Sequence, residues 1–565
     1  MEELSDLAVL IVDCQTTGAS PAHGVVLELG WCVARANDPA VEQLQAYWVT
    51  LPEGHFVDFQ VRRLTGFDES HVTNALSPRD AWGRLRGTTN FADRIPAAIH
   101  FARFELAFLR DWARRFEPET NFPIDAVCVH AIACRLYPDL PRRSLRALAG
   151  YLGHGLDPAR RCLGHVEATA FIWRKLAAEV AALGVHTWDQ LGDWLATPGP
   201  AGLRSRKRRY PFPSAKYRAL PDEPGVYRFL RSNGDVLYVG KAASLRKRVA
   251  GHFTAGSSTT ERALEMLTQV HDIHVTRTRT PLEAALLENE DIKALSPPYN
   301  LQLVGADPRT WFSAPNFDTA STVPDETHRR GPLPSTFSVR SLGAIYALVS
   351  GERATPSLRA RAVGSAPRWA PDEAVFFAGF SRFTEHHALG VLDSTRVRRS
   401  LAVAARSLIL TSKLDITSKD AELDEMTADG VEPPLWDPDR VVRHLERAVA
   451  HAYQLLQRAR WLCLLYDSAV VYQEPPSERP RLLILRDGRL VEARDLMPDE
   501  PVPSAASYRP LRERQASIDR SQYDRLRTLT TELKRVLRDN GTAAVRVGGR
   551  RWLRGSRLDA LLLWV

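Results

Sequence analysis

The spacing of hydrophobic residues changes along the chain between the period of a strand and the period of a helix. Short apolar runs such as Ala8 to Val12 alternate with amphipathic segments such as Arg103 to Phe116 and Val166 to Ala182. This alternation continues from residue 7 to about residue 180 and is typical of an α/β domain. A basic segment bounded by Pro and Gly, PGPAGLRSRKRRYPFPS at 198–214, follows and predicts a linker.

A second, smaller unit is expected between Leu220 and Leu303, where two apolar runs flank Asn233-Gly234. This dipeptide favours a two-residue hairpin turn, because both residues tolerate a positive φ. The following segment, 304–336, is rich in Pro, Ser, Thr and charge. We therefore expect a flexible linker there.

The C-terminal region, 337–565, has signals of secondary structure but no chemical motif that we recognise. Asp437-Pro438 predicts the start of a long helix, because Asp caps a helix and Pro fits its first turn. Asp487-Gly488 predicts a hairpin, and Asn540-Gly541 predicts the end of a final helix.

Length and composition limit the class of protein. A chain of 565 residues exceeds what one hydrophobic core supports, which predicts about three or four domains. The 75 basic and 67 acidic side chains give a formal charge of +8, a mild excess whose clustering is more informative than its size. Six scattered cysteines without a CxxC pair indicate a reducing compartment and argue against a zinc ribbon or an iron–sulfur cluster. The acidic N-terminus and the lack of a long apolar run predict a cytoplasmic protein without a membrane contact.

Five short motifs follow one another within residues 220–303. They are GVY at 225–227, YVGKA at 238–242, LRKR ending at Arg248, LLENEDIK with Glu288, and PPYN ending at Asn300. These residue types suit phosphodiester hydrolysis, because a carboxylate can hold a single Mg²⁺ and a guanidinium can stabilise charge on phosphate oxygens. A strand phenol within reach of a water, here Tyr238, is a candidate general base.

In this order and spacing the motifs resemble the GIY-YIG endonuclease family, and most closely the N-terminal nuclease module of UvrC-type excision nucleases. The resemblance implies that Tyr238 is the general base and that Glu288 holds one Mg²⁺ or Mn²⁺ ion. The other residues that it places in the site are Tyr227 and Lys241 as assisting groups, Arg248 as the cation for the transition state, and Asn300 as a brace.

Three segments of the first domain resemble the motifs of the DnaQ-like 3′–5′ exonucleases, whose fold is RNase H-like. They are IVDCQTTG with the following VVLELG, then AAIHFARFELAFL, and then ARRCLGHVEATA. Compared position by position, Asp13 keeps the first acid of the family, Gln15 replaces a Glu, and Glu105 replaces an Asp. The His and the last Asp of the third motif align with Arg160 and His165.

This substituted set predicts an exonuclease fold that has lost its reaction. Two Mg²⁺ ions need several carboxylates, whereas Gln offers a neutral oxygen and a nearby Arg repels a metal pair. The alternative is a site for one metal ion, such as Mn²⁺, formed by Asp13, Glu105 and His165. If the alignment of the third motif is shifted, Glu167 is the missing acid.

Two basic clusters are candidate DNA contacts. They comprise Arg206, Lys207, Arg208 and Arg209 in the linker, and Arg246 and Lys247 beside Arg248. Such residues can follow a phosphate backbone, although charge in a linker can equally serve solubility. The segment QLGDWL at 190–195 weakly resembles peptides that bind sliding clamps, but a small helix that packs Leu191 and Leu195 is the favoured interpretation.

Together these features predict a multidomain α/β protein. We expect an RNase H-like, DnaQ-type domain at 1–185, a basic linker at 186–219, a small α/β GIY-YIG domain at 220–303, a flexible linker at 304–336 and an α+β accessory region at 337–565. The chain resembles the UvrC homologues (Cho-like) that lack the second, RNase H-like nuclease half.

The function that this resemblance implies is a structure-specific, Mg²⁺-dependent DNA endonuclease of the bacterial cytoplasm and nucleoid. It makes one nick in damaged, branched or flapped duplex during excision-type repair, with a protein of the UvrB type as a possible partner. One alternative is an active 3′–5′ exonuclease of the polymerase III epsilon type with an appended GIY-YIG domain. The other alternative is a DNA-repair scaffold without catalysis.

Overall fold

The computed structural model describes two compact units. One comprises Met1–Pro281 with Leu295–Leu301, and the other comprises Leu282–Ala294 with Gln302–Val565. The described residues are 2–88, 94–156, 161–197, 209–254, 260–300, 309–389, 394–410, 435–475, 479–502, 517–547 and 551–563.

The first unit begins with a five-stranded sheet. Its strands are β1 (Val9–Thr16), β2 (Val26–Ala34), β3 (Val41–Trp48), β4 (Ile95–Ile99) and β5 (Ile124–Cys128). The order is β3-β2-β1-β4-β5, in which β1, β2 and β3 are antiparallel while β4 lies parallel to β1 and β5. This arrangement confirms the predicted fold class, and it places Asp13 near the end of the central strand.

Helices cover both faces of this sheet. They are α1 (Phe59–Thr65), α2 (Pro78–Thr88), α3 (Ala102–Phe116), α4 (Val129–Leu136), α5 (Leu145–Tyr151), α6 (Cys162–Ala182) and α7 (Trp188–Ala196), with a 3₁₀ turn at Glu69–Asn74. Alternate residues of β1 point to opposite faces, so that Ile11 joins the core under α4 to α7 while Val12 joins the core under α2 and α3. The central strand is therefore buried on both faces.

The expected linker at 186–219 is wrong at both ends. Trp188 and Leu191 of α7 are buried in the core of the first domain, which extends this domain to Ala196. The buried position of Leu191 also leaves it unable to serve as part of an exposed clamp-binding peptide. At the other end, Phe212 and Tyr217 pack into the next domain. The physical reason is that the free energy falls when the apolar side chains within this segment are buried rather than exposed to water.

The second domain of this unit contains α8 (Ser214–Arg218), β6 (Gly225–Leu230), β7 (Val236–Ala242), α9 (Leu245–Phe253), α10 (Glu261–Gln269) and β8 (Asp272–Arg277). The sheet order is β7-β6-β8, and all the pairs are antiparallel. The predicted hairpin is present, with a φ of +91° at Gly234. It brings Phe229 opposite Tyr238.

The two domains of the first unit pack directly on each other through α5 and α10. Ser144 Oγ donates to Glu265 at 2.8 Å, and the His271 Nε2 atom lies 3.0 Å from the Tyr151 carbonyl oxygen. Gly150 faces the buried Gln269 so closely that a Cβ at this position would collide with the Gln269 amide. The interface is therefore close-packed as well as polar.

The second unit begins with α11 (Pro281–Leu295), of which Leu282–Ala294 belong to it. The segment expected to be a flexible linker instead forms a small sheet from residue 311 onward, with β9 (Trp311–Ser313), β10 (Ala320–Ser321) and β11 (Arg330–Leu333). The expectation failed because Phe312, Phe317 and Leu333 are buried, which supplies the core that the average composition of the segment concealed.

The remaining helices and strands form two main cores within this unit, one of which also contains Phe317 and Leu333. These elements are α12 (Phe337–Val349), α13 (Pro356–Val363), α14 (Glu373–His386), α15 (Ser394–Leu410), α16 (Pro438–Leu465), β12 (Ser468–Gln473), β13 (Arg481–Arg486), β14 (Arg489–Asp495), α17 (Arg520–Arg538), β15 (Thr542–Val547), β16 (Arg551–Arg554) and α18 (Ser556–Leu563), with a 3₁₀ turn at Pro367–Trp369. The sheet order is β14-β13-β12-β15-β16 with antiparallel pairing throughout. Among the described helices, none has the length and apolar character needed to cross a membrane.

Replacement of Gly150 with Val should force the Gln269 side chain from its buried position. The displaced amide would lose its hydrogen bonds to Tyr299 and Arg231, and overpacking of this kind costs about 1 to 3 kcal/mol. We expect Gly150→Val to unfold at a lower temperature than Gly192→Val in circular dichroism. Gly192 is the matched control, because no described atom lies within 4 Å of a Cβ built there. Equal midpoints would contradict the close packing.

Candidate nuclease sites

The first cleft lies at the end of β1, where three of the predicted residues meet. The Gln15 Nε2 atom donates to Asp13 Oδ2 at 2.9 Å and lies 3.3 Å from His165 Nδ1. The same His165 nitrogen lies 3.2 Å from Asp13 Oδ1. The neutral amide of Gln15 therefore bridges the carboxylate and the imidazole, a role that a bound cation has in an acidic metal site.

Glu105 lies in the first turn of α3 and is buried, with 5% of its surface exposed. Its Oε2 atom has no hydrogen-bond partner within the described part of the chain. Burial, followed by the negative charge of Asp13, raises the pKa of Glu105 well above its usual range. A carboxyl group that holds its proton is a poor metal ligand, because coordination requires the deprotonated form.

A further buried carboxylate, Glu28, was not predicted. It pairs in register with Gln15 on the neighbouring strand, which was the available signal. Arg161 neutralises it through a forked contact, with Nε and Nη2 at 3.0 and 2.8 Å from Glu28 Oε1. The guanidinium in turn lies 4.5 Å from the centre of the Trp48 ring. Glu28 is thus committed to an ion pair.

The third motif is only partly described. Arg160 lies outside the described residues, whereas His165 lies on α6 beside Asp13. Glu167, two residues further on, is exposed, because two helical steps turn a side chain by about 200°. The structure thus brings His165 rather than Glu167 to Asp13.

His100 is a buried neighbour of this cleft that the sequence analysis missed. Only 6% of its surface is exposed, and neither ring nitrogen has a hydrogen-bond partner among the described residues. Burial lowers its pKa to about 3, so the ring is neutral at pH 7. Among the residues that the structure describes, no three potential ligands in this cleft converge closely enough to share a cation.

The second cleft lies on the β6–β7 hairpin. Tyr227 is fully buried, Tyr238 is half-buried, and their ring centres are 6.1 Å apart. Gly240 lies opposite Tyr227, and a Cβ there would stand 2.5 Å from the Tyr227 phenol oxygen. The glycine of the second motif is therefore required by the packing of the two tyrosines.

Asn300 holds the strand that carries Tyr238. Its Oδ1 atom accepts a hydrogen bond from the Val239 backbone N–H at 3.0 Å, and its Nδ2 atom donates to the Val239 carbonyl at 2.9 Å. The adjacent Tyr299 donates to Glu265 at 2.9 Å and accepts from Gln269. The PPYN segment thus connects this strand to α10.

His252 is a site residue that the sequence analysis missed. It lies one turn after Arg248 on α9, and its Nε2 atom is 2.8 Å from the Tyr227 phenol oxygen. Burial, followed by the charge of Arg248, lowers its pKa to about 4. The neutral ring can therefore accept a hydrogen bond from the Tyr227 phenol at pH 7. Its spacing of four residues from Arg248 on one helix face was the available signal.

The predicted basic residues of this domain are exposed. Lys241 and Arg248 face solvent, as do Arg246 and Lys247. Asp222 pairs with Arg246 at 2.9 Å and lies 3.9 Å from Lys247 Nζ. Of the linker residues, Arg206, Lys207 and Arg208 lie outside the described residues, whereas Arg209 is described and exposed.

Glu288 is the predicted metal ligand of this domain. It is half-buried on α11, in the segment that belongs to the second compact unit. That helix is anchored within its unit by Lys293, which pairs with Asp524 at 2.7 Å, and by Glu283, which pairs with Arg481. The role of Glu288 as a metal ligand rests on its place in the motif order.

The comparison with family models identifies the hairpin domain. The model described as the UvrC-like GIY-YIG domain matches residues 223–301. Residues 223–301 are a UvrC-like GIY-YIG domain. The match confirms the resemblance that the five motifs predicted.

Related proteins match this chain over very different lengths. A Mycobacterium tuberculosis protein, named for a bifunctional exonuclease and endonuclease, is 28% identical over 506 residues, which is 87% of this chain and 73% of that protein. UvrABC system protein C of Neisseria meningitidis is 54% identical over 82 residues, 14% of this chain and 13% of that protein. The chain therefore spans only a small part of the UvrABC relatives that it matches.

One solved structure is also similar in sequence to part of this chain. The GIY-YIG domain of UvrC from Thermotoga maritima, determined with magnesium, is 30% identical and covers 15% of this chain and 93% of its own chain, at a TM-score of 0.14.

The pH dependence of DNA nicking tests the state of His252. Because its pKa is lowered from 6.5 to about 4, the imidazole should remain neutral from pH 7 to pH 5. We expect no loss of rate centred near pH 6.5 in the wild type. His252→Phe removes the acceptor and should lower the rate by roughly tenfold or more, whereas His252→Gln keeps an acceptor oxygen. A loss near pH 6.5 that disappears in His252→Gln would contradict this state.

Restoration of the missing acid tests the first cleft. Gln15→Glu places a second charge beside Asp13, so this variant should be less stable than Gln15→Ala without metal and should bind Mg²⁺ more tightly. Measured by thermal shift in a Glu288→Gln background, its apparent Mg²⁺ affinity should rise roughly tenfold, which corresponds to about 1.4 kcal/mol. An identical Mg²⁺ response in both variants would show that the amide does not replace a cation.

Proposed function

We propose that the protein is a Mg²⁺-dependent DNA endonuclease that makes a single-strand nick in excision-type repair. The observation that carries this proposal is the hydrogen bond between Tyr227 and neutral His252 beside Tyr238, within a UvrC-like GIY-YIG domain. The neutral imidazole accepts a hydrogen bond from the buried Tyr227 phenol and so fixes that ring beside Tyr238. In this proposal Tyr238, the more accessible phenol, acts toward the attacking water.

The donor chemistry of the domain fits one hard cation. Among its candidate residues Glu288 is the carboxylate, and the others are phenols, an amide and cationic groups. One carboxylate suits a single Mg²⁺ or Mn²⁺ better than a pair of ions. Such an ion, when bound, stabilises the charge that develops on the phosphate and the leaving oxygen.

The cationic side chains of the domain have separate tasks in this proposal. The Arg248 guanidinium faces solvent and stabilises phosphate charge in the transition state, with Lys241 assisting. Arg246 and Lys247 contact neighbouring phosphates, and Asp222 orients them before DNA binds. Arg209 and the rest of the basic linker add affinity that depends on salt.

The exonuclease-fold domain serves as a support for the nuclease domain. The contacts that favour this role run from Gly150 and Ser144 on α5 to Gln269 and Glu265 on α10, and from there to Tyr299. The neighbouring Asn300 holds the catalytic strand. The first cleft has lost its reaction because its charges are already balanced, Asp13 by an amide and Glu28 by a guanidinium.

The relatives of the GIY-YIG domain support a proposal for the substrate class. The proteins that match the GIY-YIG domain are named as part of a UvrABC system. We propose a damaged, branched or flapped duplex in the bacterial nucleoid, distorted by a partner of the UvrB type before it is cut. Nothing in the sequence suggests readout of a DNA sequence.

A second candidate function is 3′–5′ exonuclease activity. The name of the Mycobacterium tuberculosis relative favours it, as does the survival of Asp13 and Glu105 in one cleft. The raised pKa of Glu105 argues against this function, because the carboxyl group must lose its proton before it can bind a metal.

Cleavage of end-labelled damaged and branched duplexes with Mg²⁺ separates these functions. We expect internal nicks that fall by roughly a hundredfold or more in Glu288→Gln and Tyr238→Phe. Glu290→Gln, an exposed neighbour on α11, is the matched control and should retain the wild-type rate. Asp13→Ala should nick normally.

Other outcomes identify the alternatives. Shortening from the 3′ end that depends on Asp13 and survives Glu288→Gln would assign an exonuclease to the first domain. An absence of metal-dependent nicking on every substrate, with and without a UvrB-type protein, would leave a scaffold.

A further inference from the structure

Three potential metal ligands converge in the C-terminal unit, away from any motif. They are His386 and His387 at the end of α14, and Glu446 on α16. One ligand atom from each residue lies within 4.8 Å of the other two. Within the described ranges this is the only group of three His, Cys, Asp or Glu side chains that meets this distance.

The separations suit a small ion. The His387 Nε2 atom is 3.0 Å from Glu446 Oε1, and the two imidazole ring centres are 4.7 Å apart with planes at 85°. Ligand atoms of a tetrahedral zinc site lie roughly 3.3 Å from one another, because each is about 2.0 to 2.2 Å from the metal. The three ligand atoms, each within 4.8 Å of the others, therefore lie near the spacing of three corners of such a tetrahedron.

The helices hold this geometry in place. Gly379 allows α14 to approach α16 so closely that a Cβ there would stand 2.6 Å from the Val441 side chain. Arg382 pairs with Asp439 at 2.7 Å, one turn before His386 on α14. The two helices are thus in direct contact, both through close packing and through an ion pair. Ligands that are fixed before binding lose little entropy when an ion binds.

Burial divides the three residues into an inner and an outer part. The side chain of His387 is 6% exposed and that of Glu446 is 17% exposed, and the Phe383 ring lies 5.0 Å from the His387 ring. His386 is exposed, which leaves a path for an ion from solvent. A hydrogen bond between His387 and Glu446 alone would explain the inner pair but gives His386 no part.

We propose that His386, His387 and Glu446 bind a transition-metal ion of the zinc class that joins α14 to α16. Two imidazoles and one carboxylate suit Zn²⁺ rather than Mg²⁺, which prefers oxygen ligands. Three protein ligands leave one position for water. The site is independent of the Mg²⁺ chemistry of the GIY-YIG domain and of whether the protein cuts DNA.

Zinc binding to the full-length chain tests this site. With excess Mg²⁺ present to occupy oxygen sites, equilibrium dialysis and atomic absorption should count bound Zn²⁺ per chain. We expect His386→Asn and His387→Asn each to lose one equivalent or to weaken its binding by roughly tenfold or more. Glu385→Gln, the exposed neighbour of His386 on α14, is the matched control and should bind as the wild type does.

Thermal unfolding separates coordination from loss of fold. Because His386 is exposed, His386→Asn should match the wild-type midpoint without zinc and should fail to gain stability when Zn²⁺ is added. Wild type and Glu385→Gln should both gain stability. Equal Zn²⁺ stoichiometry and affinity in His386→Asn, His387→Asn and wild type would overturn the proposal, as would a wild type that binds no Zn²⁺.

Discussion

The carboxamide of Asn300 is the contact on which the nuclease domain depends. It occupies the backbone donor and acceptor of Val239, much as a neighbouring strand would. The flanking residues of that strand are Tyr238 and Gly240, so the contact fixes both the phenol and the close packing of Tyr227. Since Tyr227 in turn meets His252, one amide positions groups from two strands and a helix.

The same contact connects the nuclease domain to the first domain of the unit. Tyr299, next to Asn300, bonds to Glu265 and Gln269 on α10, and these side chains face α5 of the exonuclease fold. A change at Gly150 therefore reaches the strand that carries Tyr238 through a short series of packed and hydrogen-bonded groups. In our proposal the first domain acts through its rigid surface rather than through its own reaction.

The first cleft holds its buried carboxylates through contacts within the protein. A cluster of carboxylates without a metal would be destabilised by repulsion between their negative charges. Each of the three acids here avoids this repulsion in a different way. Asp13 accepts a hydrogen bond from Gln15, Glu28 pairs with Arg161, and burial favours the protonated form of Glu105. These arrangements take the place of a cation: Asp13 and Glu28 accept hydrogen bonds from groups of the protein, and Glu105 keeps its own proton.

The sequence alone determined the features that depend on neighbouring residues. The Asn233-Gly234 hairpin, the Asp437 cap and the motif order of the GIY-YIG domain follow from local backbone preferences and fixed spacing. Only the tertiary structure decided which distant groups meet. His252 beside Tyr227, Arg161 on Glu28, α7 in the first core and the ordered sheet after residue 311 all arise from packing between segments far apart in the chain. Such contacts are set by burial and shape in three dimensions, and a pattern along one dimension does not record them.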